Sequence, residues 1–498
     1  MTTEHVDVLI VGAGLSGIGA AYYLQTRCPD KRYVILEGRD TIGGTWDLFR
    51  YPGVRSDSDM YTLGYSFRPW HDPKAIADGP AILAYIKETA RAYGIDQHIR
   101  FQQRVCRAEW SSVDSRWTVE VERRPDREPM PLTCSFLFMC SGYYDYDHGY
   151  LPEWPGVDQF TGRIVHPQHW PQNLDYAGKR VVVIGSGATA VTLVPAMAQQ
   201  AAHVTMLQRS PTYIASLPAE DAMANRLRRY VPRRISYRLV RWKNVLVSMV
   251  YYNLMRWRPA QMKQNLIDLV RAQLGPTYDV DTHFTPSYNP WDQRLCFVPD
   301  GDLFKAIRSG KVSVVTDHIE TFTPTGLRLC SGAELEADII VTATGLVMKL
   351  MGGMQLAVDG HPIDLAQTMS YKGMMFSDVP NLAGAIGYTN ASWTLKCELV
   401  AQYVCRLLKF MDRWGYVQCT PRNTDPSIKE EPIINFTSGY VQRALSSLPH
   451  QGSRPPWKLY QNYIFDLITF RYGRIDDGAM EFKRRRSARR AALQRGSP

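Results

Sequence analysis

A strand-length apolar run, Val6-Asp7-Val8-Leu9-Ile10-Val11, passes straight into Gly12-Ala13-Gly14-Leu15-Ser16-Gly17 and then into an alanine- and tyrosine-rich stretch with helical spacing. No other feature restricts the fold as tightly. A glycine-rich turn between a buried strand and a helix presents backbone N–H groups at the positive end of the helix, where a pyrophosphate binds. The bare glycine spacing arises readily by chance, so its flanks decide its meaning. Here the next strand, Tyr33-Val34-Ile35-Leu36, ends in Glu37, 25 residues after Gly12 and close to the offset of about 20 at which an acid meets a ribose diol. The unit reads as a site for FAD or NAD, with Gly12, Gly14, Ser16 and Gly17 at the pyrophosphate and Glu37 at the ribose.

The pattern then repeats. Arg180-Val181-Val182-Val183-Ile184 runs into Gly185-Ser186-Gly187-Ala188-Thr189-Ala190, a helical 191–200 and a strand over 203–207. That strand leads into Arg209 and Ser210 where the first unit carries its acid. A carboxylate there repels a 2′-phosphate, whereas a guanidinium pairs with it, so the second unit reads as an NADP site. Two further strand-to-glycine segments, 136–142 and 337–345, look like chain crossings between the two units. The predicted fold is α/β, with two Rossmann-like dinucleotide-binding domains. The first is built from 1–142 and 346–498; the second, over 143–345, interrupts it and carries a helical insertion at about 218–275.

Length alone, 498 residues, predicts about three domains, and 45% hydrophobic with 21% charged residues excludes a disordered chain. The nine cysteines are odd in number and scattered, which predicts reduced thiols in a cytoplasmic protein. None falls in a metal-ligand cluster, so no metal is expected. None forms the Cys-x-x-x-x-Cys pair of a flavin disulfide reductase either. The most tempting candidate for a membrane span, the uncharged 8–24, is short of the roughly 20 residues required and dense in glycine and alanine.

Between the two nucleotide units lies Phe160-Thr161-Gly162-Arg163-Ile164-Val165-His166-Pro167-Gln168-His169-Trp170-Pro171. Its Phe-x-Gly-x-x-x-His-x-x-x-Trp-Pro positions resemble the fingerprint of Baeyer–Villiger monooxygenases; relatives that oxidise nitrogen or sulfur lack the Trp-Pro ending. Gly43-Gly44-Thr45-Trp46, Arg50-Tyr51-Pro52-Gly53, Asn289 to Cys296 and Gly387 to Trp393 extend the resemblance over nearly the whole chain. It is closest to a branch that also activates thioamides by oxidising their sulfur. The resemblance implies FAD and NADPH as cofactors and O2 as co-substrate. It also implies a C4a-peroxyflavin that attacks a ketone to give an ester or lactone, with thioamides and thioethers as further substrates. A flavin-containing monooxygenase acting mainly on sulfur or nitrogen is the alternative.

On this resemblance Arg294 matches the catalytic arginine and Asp57 the carboxylate that orients it. A permanent cation suits a path on which two negative oxygens develop. Trp46 is expected against the flavin, with Gly44 and Thr45 letting the backbone approach, and Val105 matches the position whose backbone meets the adenine. His166 is open between a general base and an inter-domain hinge. Gln293 stands where many relatives place a lysine, which leaves more of the 2′-phosphate recognition to Arg209 and Ser210.

The net charge of +10 has two sources. Eight basic residues and no acid lie in 226–243, and the C-terminal tail from Glu481 onward is net +6, so the rest of the chain is acidic. No nucleic-acid fold or aromatic platform accompanies either run, so nucleic acid is not an expected partner. The tail reads as solvated. The apolar residues interleaved through 226–257 fit a helix on the inner face of the cell membrane, or one packed on the NADP domain or on another subunit of a homo-oligomer.

Overall fold

The computed structural model describes residues 3–123 and 128–485. Its first sheet has at its centre Glu4–Val11, flanked by Glu128–Met139 on one side and Tyr33–Leu36 then Ile99–Arg100 on the other, all parallel. The strand alternates between two cores. Val8 and Ile10 face the helix Leu15–Arg27 and the long helix Trp393–Trp414 laid over it. Val6 and Leu9 face an antiparallel extension, Gln103–Ser111 and Arg116–Arg123, where Trp110 and Trp117 meet edge to face at 5.6 Å. A strand stretch buried on both faces must be apolar at nearly every position, as Val8 to Val11 are.

The second sheet is wholly parallel, in the order Val312–Thr316, His203–Gln208, Arg180–Ile184, Ile339–Thr342, Arg163–Val165. Val181 and Val183 point to the helices Ala188–Met197 and Asp302–Arg308. Val182 and Ile184 point to a three-stranded meander over 319–336. The helix after the glycine loop begins three residues earlier than the spacing predicts, because Ala188 already follows the turn, and it ends soon after Pro195.

The chain leaves the first sheet after Met139 and rejoins it at Gln355–Val358 and Leu382–Gly384. The two crossings, Tyr144–Gly149 and Leu346–Met348, pair as an antiparallel ribbon. They are tied by Tyr150 N–H to Gly345 O at 3.1 Å and Thr344 Oγ1 to Tyr150 O at 2.6 Å.

The helical segment comprises Ala222–Tyr230, Arg233–Trp257 and Pro259–Leu274. The third helix packs on the second sheet through Ile267, Val270 and Leu274. The middle one does not: Tyr237, Val240 and Arg241, at i, i+3 and i+4, are buried against the first unit. Arg241 Nη2 bonds Glu398 Oε2 at 2.7 Å and Nη1 bonds the carbonyls of Tyr61 and Gly64, both at 2.7 Å.

The basic tail departs in part from a solvated segment. Lys483 and Arg484 lie on the strand Met480–Arg484, antiparallel to Tyr416–Pro421, held where Phe482 stacks on Tyr416 at 5.0 Å. Residues 486–498, with Arg486, Arg489, Arg490 and Arg495, lie outside the described residues.

Candidate active site

The first glycine loop is shaped by close approach. Gly12 has φ +105°, and a Cβ there would stand 2.6 Å from the Cys140 carbonyl oxygen, so only glycine lets the strand turn beneath the crossing chain. In front of the loop two clefts of about 940 and 1460 Å³ meet, sharing Gly14, Gly44, Cys140, Tyr144 and Tyr146. The smaller holds Gly12, Glu37 and Val105; the larger holds Ser16, Thr45, Trp46 and Asp57. A long dinucleotide fits this continuous groove, with its pyrophosphate at the start of Leu15–Arg27.

Glu37 is 6% exposed. Its Oε2 accepts from Ala13 N–H at 2.7 Å and its Oε1 from Arg39 N–H at 3.0 Å. Burial pushes its carboxyl pKa up while these N–H groups and Arg39 hold it down. The carboxylate thus braces the loop as well as facing the cleft. Ser16 also has a second engagement, since its hydroxyl accepts from Trp393 Nε1 at 2.9 Å and donates to Cys397 Sγ at 3.3 Å. Its side chain is therefore turned toward the helix Trp393–Trp414 within the larger cleft.

The second loop repeats the construction. Gly185 has φ +133°, with a Cβ position 2.3 Å from Ala343 O. Gly187 caps the helix that Ala188 and Thr189 begin, Ala190 is fully buried beneath it, and Ser186 Oγ bonds Ser210 O at 3.2 Å. Ala188 and Thr189 line the larger cleft, so the two nucleotide sites face one another across it. Arg209 and Ser210 are exposed at the end of their strand. No local pattern singles out Arg443, which lies over the Tyr150 ring at 3.4 Å and whose pKa is lowered by burial and by repulsion from Arg209. Two cations thus flank the second site.

At the other end of the groove Arg294 Nη2 stands 3.1 Å from Asp57 Oδ2. Asp57 comes from the N-terminal unit and Arg294 from the inserted one, so the pair closes the gap between them. The Asp57 carboxylate, ahead of the burial cost and the neighbouring phenols, raises the guanidinium's already high pKa. Tyr143 and Tyr144 lie beside it with their hydroxyls bonded to each other, and burial pushes the Tyr143 phenol up to about 12. Tyr143 stacks on Trp393 with centroids 4.8 Å apart. These tyrosines follow the glycine at a crossing; nothing in the local pattern distinguishes them from core residues.

Arg294, Tyr143, Tyr388 and Trp393 also border a separate apolar cavity of about 910 Å³, with Met348, Ile386, Ile433 and Phe436 among its walls. Its polar wall is a buried trio: Lys396 Nζ lies 2.5 Å from Asp466 Oδ2, and Tyr388 OH donates to the same oxygen at 2.7 Å. Burial lowers the Lys396 pKa and the adjacent carboxylate opposes it. Seventy residues separate the two charges, so no sequence pattern pairs them.

His166 is placed apart from Asp57 and Arg294. It follows the edge strand Arg163–Val165, which Phe160 anchors in the core with Phe322. Its Nδ1 accepts from Gln168 N–H at 3.2 Å, and its ring packs on Gly149, where a Cβ would fall 2.0 Å from Cε1. Burial lowers its pKa. The imidazole therefore sits at the crossing ribbon rather than at the mouth of the groove.

All nine cysteines are free thiols. Among the described residues no group of histidine, cysteine and carboxylate side chains is arranged to hold a metal, and no helix is long and apolar enough to cross a membrane.

A family model described as FMO-like, flavin-binding monooxygenase-like, matches residues 6–351. The FAD-containing monooxygenase EthA of Mycobacterium tuberculosis is 57% identical over 484 residues, spanning 97% of this chain and 99% of that protein. The probable FAD-binding monooxygenase AlmA of Acinetobacter baylyi is 48% identical, spanning 97% of each. The fold matches an oxidised steroid monooxygenase bound to NADP, with TM-score 0.75 and 22% identity over 96% of this chain and 100% of that one. It also matches a caprolactone-bound cyclohexanone monooxygenase, with TM-score 0.74 and 19% identity over 97% and 100%. With paired glycine loops facing one groove and a family match over most of its length, the chain belongs to the flavin-binding monooxygenase-like family.

Proposed function

We propose that this protein is an NADPH- and O2-dependent FAD monooxygenase that inserts one oxygen beside a ketone carbonyl to give an ester or lactone, and that it also S-oxygenates thioamides and thioethers. The observation that carries the reading is the position of Arg294. A fixed cation, oriented by Asp57, stands where the flavin-sized groove meets an apolar cavity.

FAD bound in the groove, reduced by NADPH, supplies the two-electron activation of O2; the second oxygen atom leaves as water. The chain's own residues bind and orient. The loop amides from Gly12 to Gly17 take the pyrophosphate, Glu37 the ribose, and Trp46 and Thr45 the ring end. Gly185 to Ala190, with Arg209 and Ser210, take the second nucleotide. Arg294 stabilises negative charge that develops on oxygen at the groove's end, a task for preorganised charge in a site that excludes water. The apolar cavity admits a lipophilic ketone and keeps its carbonyl beside that cation. His166, half-buried at the crossing ribbon, acts as a hinge between the units rather than as a base.

The test is product analysis. Protein loaded with FAD is given NADPH, O2, a linear or aryl ketone and a thioether. Ester formation is expected beside sulfoxide. Ready sulfoxide formation with no ester from any ketone of a panel overturns the insertion reading and leaves a sulfur-oxidising monooxygenase.

A further inference from the structure

The helix Arg233–Trp257 turns the wrong face outward for a helix packed on one side. Its inner face carries Arg241, 7% exposed, while Ile235, Leu239, Trp242, Leu246 and Val250 recur every three or four residues, with Trp257 seven further on, all 40–72% exposed. A second helix, Tyr463–Tyr472, lies beside it through Trp242 and Tyr463, whose rings are 5.9 Å apart, and exposes Phe465, Ile468 and Tyr472 at i, i+3 and i+7. The two stripes form one apolar surface larger than the scattered apolar side chains a soluble monomer shows.

The eight cations of the segment divide cleanly. Arg228, Arg241 and Lys243 turn inward to carbonyls, Glu398 and Asp221. Arg226, Arg229, Arg233, Arg234 and Arg238 are exposed, and among the described residues none has a carboxylate within ion-pair distance. Arg238 lies three residues after Ile235 and four before Trp242, on the apolar side itself.

We propose that this surface is a docking face for an anionic lipid bilayer, with the helix Arg233–Trp257 lying in the interface. Aromatic and aliphatic side chains enter the headgroup boundary while unpaired arginines meet lipid phosphates. A second copy of the chain fits worse, since a two-fold pairing of this face sets arginines against arginines with no acid to meet them. The helix Tyr463–Tyr472 carries Asp466 on its inner side, and Tyr460, packed on Phe465 at 4.5 Å, lines the apolar cavity. The docked face therefore borders the rim of that cavity.

The experiment is sedimentation of the full, flavin-loaded chain with vesicles of phosphatidylcholine alone or mixed with phosphatidylglycerol. The wild type is expected to pellet with the anionic vesicles and to be released by salt. The double variant Leu246→Glu/Val250→Glu, changed only at exposed positions, is expected to keep its flavin and lose binding roughly tenfold or more. Arg234→Gln/Arg238→Gln is expected to lose the preference for anionic lipid. If the glutamate variant does not retain flavin, Trp257→Ser takes its place. A wild type that stays in the supernatant with both vesicles overturns the proposal, as do variants that bind like wild type. A dimer in solution that Leu246→Glu/Val250→Glu converts to monomer, with no vesicle binding, assigns the face to a second copy instead.

Discussion

Arg294 and Asp57 face each other at 3.1 Å across the junction of the two nucleotide-binding units, one residue from each. Because the contact is inter-domain, it reports closure as well as charge. Arg294→Ala is expected to lower ketone oxygenation by about 10²–10³ while NADPH-dependent flavin reduction persists. Asp57→Asn should fall less, since the cation remains but is no longer held. Stopped-flow reduction paired with product analysis separates the two steps. Oxygenation by Arg294→Ala at the wild-type rate would falsify the assigned role.

Arg209 and Arg443 flank the second nucleotide site, and each is a cation near the other. Replacing Arg209 with Gln is expected to raise the NADPH KM at least about tenfold, the loss of one charge-assisted contact, while the NADH KM changes little. Arg443→Gln should shift the same ratio more weakly. Steady-state KM values for both nucleotides decide it; equal effects on each remove the 2′-phosphate from the account.

Burial holds the folded His166 imidazole below its ordinary pKa of 6.5. Between that depressed value and 6.5 the unfolded chain carries a proton that the folded one lacks. Stability therefore falls as pH drops through 6.5 and levels off below the folded value, with a slope of at most about 1.4 kcal/mol per pH unit. His5, His71 and His283 shift in the same direction. His166→Gln should make the loss in melting temperature between about pH 7.5 and 5.5 smaller than in wild type. A slope unchanged by the substitution counts against a half-buried imidazole held neutral.

The Arg241–Glu398 pair, whose side chains alone are 8% and 5% exposed, fastens the middle helix to the N-terminal unit. Removing one partner strands the other, so Arg241→Met is expected to destabilise by about 3–5 kcal/mol. Adding Glu398→Gln should recover part of the loss, because the uncompensated charge goes with it. Denaturant midpoints followed by flavin fluorescence measure both. Additive losses would show that the two side chains act independently.

The glycine loops, Glu37 and Arg209 were legible in the sequence because their partners are local: a turn, a helix start and the end of the next strand sit within one short unit. Arg294, Asp57 and His166 were legible only by resemblance, and the geometry then separates His166 from the other two. Lys396 and Asp466 were not legible, being joined only by the packing of two distant helices. Nor could sequence tell which side of 233–257 faces inward, since Tyr237, Val240 and Val245 on one side are as apolar as Ile235, Leu239 and Leu246 on the other. The strand Met480–Arg484 was hidden by its own charge: Met480 and Phe482 alternate inward between exposed Glu481 and Lys483.

The crossing ribbon has a consequence for synthesis. As the nascent chain leaves the ribosome, Glu128–Met139 emerges long before Leu382–Gly384, the strand that completes its edge, and Leu15–Arg27 waits for its cover until Trp393–Trp414 appears. The inserted domain, whose sheet uses only 163–342, can close first. Flavin capture is thus among the last events of folding, and a chain released early would carry a finished nicotinamide module beside an N-terminal half unable to hold its cofactor.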